Sequence, residues 1–149
     1  MTNDPNTIQE FDENCVIIKV RPETVRGRGS VYGAVRWAWI ANLEKISRAD
    51  YVLAVQTGTG GKVIGVYKPT IWYKATAEND KRYEHFLNEG GSERDERRIA
   101  FQGEEAEIKI KEKYFNKYIP YEYRKPGMAA PVLYVNIDFP RFLGQRVKA

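Results

Sequence analysis

The first regular pattern along the chain is a run of apolar and β-branched residues at 15–20, Cys-Val-Ile-Ile-Lys-Val, which is typical of a buried strand. Two further runs of this kind, 51–56 and 62–68, flank the segment Thr57-Gly58-Thr59-Gly60-Gly61. The length and glycine content of that segment predict a hairpin turn. Shorter strands are predicted at 71–75, 99–102 and 131–137.

A second pattern, with apolar residues three or four positions apart, occupies residues 31–48. It consists of Tyr32, Val35, Trp39, Leu43 and Ile46, and it predicts one long helix with Ser30 as its N-cap. Short helices are predicted at 78–89 and 104–114. Together these elements predict an α+β fold, in which a small mixed β-barrel or strongly curled sheet packs on the long helix.

Residues 1–14 differ in charge from the rest of the chain. They contain Asp4, Glu10, Asp12 and Glu13 and no Lys or Arg, and we expect an acidic flexible N-terminal arm. Residues 15–149 are predicted to form a single globular domain. Since the whole chain has 24 basic and 20 acidic residues, this domain has 24 basic and 16 acidic residues. Such a basic surface favours a polyanionic partner such as RNA or DNA.

The lone cysteine, Cys15, excludes an internal disulfide and a multi-cysteine metal site. Its apolar neighbours predict a buried, inert thiol. No run approaches the roughly 18 consecutive apolar residues of a membrane span, and residues 1–14 lack the features of a signal peptide. A cytoplasmic location without membrane association is therefore expected.

The segment Arg26-Gly27-Arg28-Gly29-Ser30 places two guanidinium groups directly before the predicted helix. The N–H groups and the dipole at a helix N-terminus favour anions, so this segment can hold a phosphate. The alternative is an ordinary solvated basic loop, and both interpretations remain open.

Tyr32, Arg36 and Trp39 share one face of the predicted helix. A guanidinium among aromatic rings needs a partner, because burying it unpaired is costly. That partner is either an internal group or an anionic ligand. Trp39 and Trp72 have two interpretations as well, core packing or stacking on an exposed base.

The segment 114–125 interleaves tyrosines with positive charge. Tyr114, Tyr118, Tyr121 and Tyr123 alternate with Lys117, Arg124 and Lys125. This pattern is compatible with binding of single-stranded nucleic acid. Tyrosine also serves widely as a half-exposed rim residue, which is the alternative.

Few residues have the types and spacing of a catalytic site. Gly58–Lys62 resembles a phosphate-binding loop, but Gln56 and Val63 stand where that motif requires Gly and Ser or Thr. The one histidine, His85, lies in a polar segment and is expected on the surface. Glu104 and Glu105 follow Gly103, where they suit either acid–base chemistry or a helix dipole. No cofactor and no metal site is predicted.

Several stretches together resemble a poorly characterised bacterial domain of the PUA-like type, the superfamily that includes ASCH and EVE domains. They are Val31–Arg36 with Trp39 and Asn42, Ala49–Val55, Val63–Tyr67 with Trp72, Phe101–Ala106, and Pro131–Asn136. The resemblance implies a small barrel with a helix against one opening, and RNA, a modified base or a nucleotide as ligand. It also implies that Tyr32, Arg36, Trp39, Asn136 and Trp72 lie near the ligand cleft.

We therefore predict a non-catalytic module that binds nucleic acid, a modified base or a nucleotide through a basic-aromatic cleft. One alternative is a small ribonuclease or nucleotide hydrolase. The other is a protein-interaction factor in a bacterial or phage defence-related system, acting through the Glu- and Arg-rich insertion at 78–98. The predicted binding residues are Arg26, Arg28, Ser30, Tyr32, Arg36, Trp39, Trp72, Arg124, Lys125 and Asn136.

Overall fold

A computed structural model describes residues 5–76, 78–79, 97–125 and 130–137. The helix predicted at 78–89 lies outside these residues except at its first two positions, and His85 lies outside them too. The described elements in chain order are β1 (Cys15–Val20), α1 (Pro22–Arg28), α2 (Val31–Val35), β2 (Trp37–Ile40), α3 (Leu43–Ile46), β3 (Tyr51–Gln56), β4 (Lys62–Lys74), β5 (Arg98–Glu105), α4 (Ile108–Tyr114), a 3₁₀ turn (Tyr121–Tyr123) and β6 (Val132–Val135).

The strands form one strongly curled, half-barrel sheet in the order β2-β5-β4-β3-β1-β6. β1 and β3 are parallel, and every other neighbouring pair is antiparallel. The predicted α+β class and curled sheet are confirmed at this level. Among the described residues no helix is long and apolar enough to cross a membrane.

The two faces of β1 contribute to two different hydrophobic cores, because alternate side chains of a strand point to opposite faces. Val16, Ile18 and Val20 face a core that α2 and α3 cover, with Trp72 and Phe101 from β4 and β5. Cys15 and Ile17 face a second core that contains Tyr114 of α4. Burial on both faces explains why the β1 sequence is almost continuously apolar.

The single long helix predicted over residues 31–48 is wrong. The chain forms the short helix α2, then strand β2, then the short helix α3. The residues of β2 are Trp-Ala-Trp-Ile, whose aromatic and branched side chains favour a strand, and they pair with β5. The apolar spacing arose from three short elements that face the same core. The predicted N-cap is confirmed, since Ser30 Oγ accepts a hydrogen bond from the Gly33 N–H at 2.9 Å.

Three other predicted boundaries change. The segment before Ser30, for which the sequence left a solvated basic loop open, contains α1, which begins at Pro22 and ends before Gly29, a residue in the left-handed conformation. The strands predicted at 62–68 and 71–75 form the single strand β4, which shifts register at Pro69. The last helix begins at Ile108 rather than at residue 104, because residues 104 and 105 extend β5.

Residues 5–14 contact the rest of the domain. Ile8 is buried, and its N–H donates to the carbonyl of Tyr118 at 2.8 Å. Lys113 forms ion pairs with Asp12 at 2.7 Å and with Glu13 at 3.0 Å. These contacts attach the acidic segment to α4, and the flexibility predicted for residues 1–14 stays a prediction.

The start of α4 is held by a hydrogen bond that depends on pH. The Tyr51 hydroxyl donates to Glu107 at 2.5 Å, and this bond holds the pKa of the Glu107 carboxyl below its ordinary value. A lowered carboxyl pKa stabilises the fold above the unfolded-state value of about 4.3 and stops doing so as the pH falls. We expect the stability difference between the wild type and Tyr51→Phe, measured by urea denaturation, to shrink between about pH 6 and pH 3. A difference that stays constant over this range would contradict the assignment.

Candidate functional site

A basic cavity of about 270 Å³ lies beside the turn between β3 and β4, and we name it the basic turn pocket. Lys19, Arg124 and Lys125 line it, and none of its described lining residues is acidic. An excess of one sign of charge in a concave site concentrates ligands of the opposite sign. The lining residues are Lys19, Val55, Gln56, Thr57, Gly58, Gly60, Gly61, Ile119, Arg124 and Lys125.

The turn that forms one wall of this pocket has three glycines in the left-handed region, Gly58 (φ 81°), Gly60 (φ 78°) and Gly61 (φ 92°). Thr59 closes it, since its Oγ1 donates to the Gln56 carbonyl at 2.7 Å and accepts from the Lys62 N–H at 3.1 Å. The predicted hairpin turn is confirmed, because β3 and β4 are antiparallel. Backbone with left-handed residues can direct successive N–H groups into a concavity that suits an anion.

Arg124 is held against the turn by its own contacts. Its Nε donates to the Ile119 carbonyl at 3.1 Å. A Cβ on Gly61 would lie 3.0 Å from Cδ of Arg124, so the glycine lets the arginine side chain approach closely. The guanidinium carbon lies 5.7 Å from the ring centre of Tyr121, whose exposed fraction is 57%. A positive group and an exposed ring therefore stand side by side at the pocket.

Lys19 supplies the third cation, and sequence reasoning missed it. It is half-buried within β1, and this burial lowers the pKa of its amine. A bound anion would oppose that effect, since an opposite charge favours the protonated form. The sequence does contain a sign of this role, because Lys19 is the one charged residue in an otherwise apolar strand.

The basic residues before α2 make internal contacts. Arg28 Nη1 donates to the carbonyls of Gly33 at 3.4 Å and Ala34 at 3.3 Å and also contacts the Trp37 carbonyl. These contacts satisfy carbonyls of the short helix α2 and of the first residue of β2. Arg26 is exposed and lies 4.0 Å from Glu23. Ser30 caps α2, as described above.

Arg36 and Trp72, which the sequence predicts near the ligand cleft, are buried, with exposed fractions of 3% and 0%. Arg36 Nε donates to the Phe101 carbonyl at 3.0 Å, and its guanidinium contacts the Tyr73 hydroxyl. Trp39 is half-buried and donates from Nε1 to the Val35 carbonyl at 2.7 Å. Arg36 therefore has internal partners, which is one of the two interpretations that the sequence left open.

Asn136 lies at the end of β6 in the left-handed conformation, with φ 61°. Its side-chain amide donates to the carbonyls of Phe11 at 2.8 Å and Glu13 at 3.2 Å. It thus attaches residues 11–13 to the sheet.

Among the predicted residues, Arg124 and Lys125 line the basic turn pocket, whereas Ser30 and Tyr32 line a second cavity.

That second cavity, of about 380 Å³, lies where the N-terminus of α2 faces β4 and β5, and we name it the tyrosine–glutamate pocket. Tyr32 accepts a hydrogen bond from the Gly103 N–H at 3.0 Å. A Cβ on Gly103 would lie 2.3 Å from the Lys68 carbonyl oxygen, so only glycine allows β5 to approach β4 here. The lining residues are Ser30, Val31, Tyr32, Tyr67, Gly103, Glu104 and Glu105.

The described residues offer little for nucleophilic or metal chemistry. Burial raises the pKa of the Cys15 thiol to about 12, so this buried cysteine stays protonated at neutral pH. Within the described ranges, no three His, Cys, Asp or Glu side chains stand close enough to hold a metal ion.

Comparisons with known proteins do not assign the chain. No family model matches it, and neither the curated proteins nor the solved structures give a match. The PUA-like resemblance therefore stays a prediction, and the chemistry of the two pockets carries the functional argument.

Proposed function

We propose that this domain is a non-catalytic module that binds nucleic acid or a nucleotide, and that the basic turn pocket holds a phosphate group. One observation carries the proposal. Lys19 and the adjacent pair Arg124 and Lys125, which are far from Lys19 in the sequence, line the same pocket at the glycine-rich turn.

The composition of the pocket fits an anionic group such as a phosphate better than an apolar ligand. Arginine donates several hydrogen bonds in a fixed fork, and lysine adds compact positive charge. Left-handed glycine backbone at the turn can direct N–H groups toward an anion. These features together support a ligand with several acceptor oxygens.

The neighbourhood of the pocket supports a base attached to that phosphate. Tyr121 is exposed beside Arg124, and an aromatic ring next to a phosphate contact can stack on any base. This part of the chain is the Tyr-rich, basic segment that the sequence singled out. We place the basic-aromatic cleft here rather than around Arg36 and Trp72, which are buried.

We expect Arg124→Gln and Lys19→Gln each to weaken binding of a short single-stranded RNA about tenfold at low salt, equivalent to about 1.4 kcal/mol. Each lost phosphate contact should also reduce the slope of log K against log salt concentration by about 0.7. Fluorescence anisotropy with labelled RNA and DNA, plain and base-modified, at several salt concentrations measures both effects.

Lys74→Gln is the matched control, because Lys74 is an exposed lysine at the end of β4 farthest from the turn. It removes the same charge and should leave the salt slope unchanged. Equal losses in Lys74→Gln and Lys19→Gln would show that only overall charge matters and would contradict the pocket. Cleaved oligonucleotide in the same samples would favour the hydrolase alternative.

A further inference from the structure

The tyrosine–glutamate pocket has the opposite charge to the basic turn pocket. Its described walls contain two tyrosine rings, one valine and two carboxylates, and no lysine or arginine. The rings of Tyr32 and Tyr67 contact each other, with their centres 5.4 Å apart and their planes tilted by 50°. Because the two rings are already in contact, a base cannot be inserted between them.

Tyr67 provides an independent sign of a ligand. Its exposed fraction is 7%, yet it lines the cavity. Its hydroxyl forms no hydrogen bond with a described residue, and it is not one of the buried side-chain atoms that lack a partner. The hydroxyl oxygen therefore reaches the cavity, where a ligand can form a hydrogen bond with it. Burial, followed by the nearby Glu105 carboxylate, raises the pKa of Tyr67 to about 12. The hydroxyl therefore stays protonated at neutral pH, and its oxygen can accept a hydrogen bond.

The rim of the pocket is acidic. Glu104 and Glu105 are exposed at the end of β5, and Glu105 is paired in register with Tyr67. Lys111 of α4 already contacts Glu105, with Nζ 2.8 Å from Oε1. The lysine shows that this carboxylate binds an ammonium group in the folded chain. Because the Glu105 side chain is 68% exposed, an external amine can compete for it.

We propose that the tyrosine–glutamate pocket binds a small organic molecule through a primary ammonium group. The ammonium donates to the carboxylate of Glu105, which is paired in register with Tyr67, and to the Tyr67 oxygen. The methylene groups lie against the Tyr32 and Tyr67 rings. A cavity of about 380 Å³ has the size of an ordinary small-molecule site. This site is separate from the basic turn pocket, and its ligand does not depend on nucleic-acid binding.

The test is a titration of the full chain with 1,4-diaminobutane, followed by ¹H–¹⁵N NMR, with 1,4-butanediol as the uncharged analogue. The Gly103 amide is the reporter, because its N–H donates to the Tyr32 oxygen at the pocket. We expect a saturable shift of this signal with the diamine and none with the diol. Equal shifts with both compounds, or no saturable shift with the diamine, would overturn the proposal.

Three variants locate the ammonium. Glu105→Gln should weaken diamine binding about threefold, as expected for an exposed ion pair, and Tyr67→Phe should weaken it without removing the ring. Lys111→Met should strengthen binding, because it removes the competing ammonium from Glu105. The control is Glu112→Gln, an exposed carboxylate on α4 that is not among the described residues lining the pocket. Binding that is unchanged in both Glu105→Gln and Lys111→Met would contradict the site.

Discussion

Replacement of Arg36 by alanine is expected to destabilise the fold by about 3 kcal/mol, the effect of losing hydrogen bonds from a buried charged group and leaving a cavity. Arg36 ends α2 and reaches the Phe101 carbonyl of β5 and the Tyr73 hydroxyl of β4. Its own carbonyl accepts from the Phe101 N–H at 2.9 Å. One residue thus joins a helix to two strands, and its removal leaves buried acceptors unpaired.

Urea denaturation monitored by tryptophan fluorescence measures this loss. Arg26→Ala is the control, because Arg26 is exposed and lies 4.0 Å from its ion-pair partner. It should change the free energy of unfolding by less than about 0.5 kcal/mol. The competing interpretation of Arg36, as a ligand contact, predicts weaker RNA binding in a normally stable Arg36→Ala variant. That result would overturn the structural role.

Replacement of Gly61 by alanine is expected to reduce both stability and phosphate binding. An alanine at φ 92° has an unfavourable backbone conformation, which costs about 1 to 2 kcal/mol. Its Cβ would also lie 2.8 Å from Ile119 Cγ1 and 3.0 Å from Arg124 Cδ. Since Arg124 must move to make room, we expect RNA binding to weaken about fivefold, or about 1 kcal/mol.

Gly29→Ala separates the two effects. Gly29 has a similar conformation, with φ 82°, but a Cβ there would meet nothing within 4 Å, and Gly29 does not line the basic turn pocket. It should lose about 1 kcal/mol of stability and keep its affinity for RNA. Equal losses of affinity in the two variants would show that Gly61 does not position Arg124. Denaturation and anisotropy on the same protein samples give both quantities.

The sequence predicts a strand well where its apolar pattern has one cause, the burial of that strand on both faces. Residues 15–20 and 51–56 are apolar because both faces of β1 and β3 are buried, and both strands have the predicted bounds. The hairpin turn at 57–61 follows from its glycines. Over residues 31–48 the apolar pattern comes from three different elements, because α2, β2 and α3 all face one core. Their apolar residues imitate a helical period, and local spacing cannot separate that case from a true helix.

The candidate site shows a similar division. Arg124 and Lys125 could be selected because charges and tyrosines alternate in one short segment. The sheet brings Lys19 to the same pocket, because β1 lies beside β3 and Lys19 is therefore close to the turn at 57–61. The sequence alone does not show this pairing. Arg36 and Trp72 have binding-type side chains, but their burial depends on the tertiary fold. Without knowledge of the neighbouring strands, the sequence cannot tell a buried arginine from a ligand-binding one.

The position of β1 has a consequence for synthesis of the protein. β1 lies between β3 and β6, and Cys15 pairs with Val135. During translation the chain makes β1 early and β6 last among the described strands, so one edge of an apolar strand stays unpaired until residue 135 leaves the ribosome. An open apolar edge is a template for aggregation. We therefore expect a nascent chain stalled before β6 to need a chaperone, and one stalled well beyond residue 137 to need it far less.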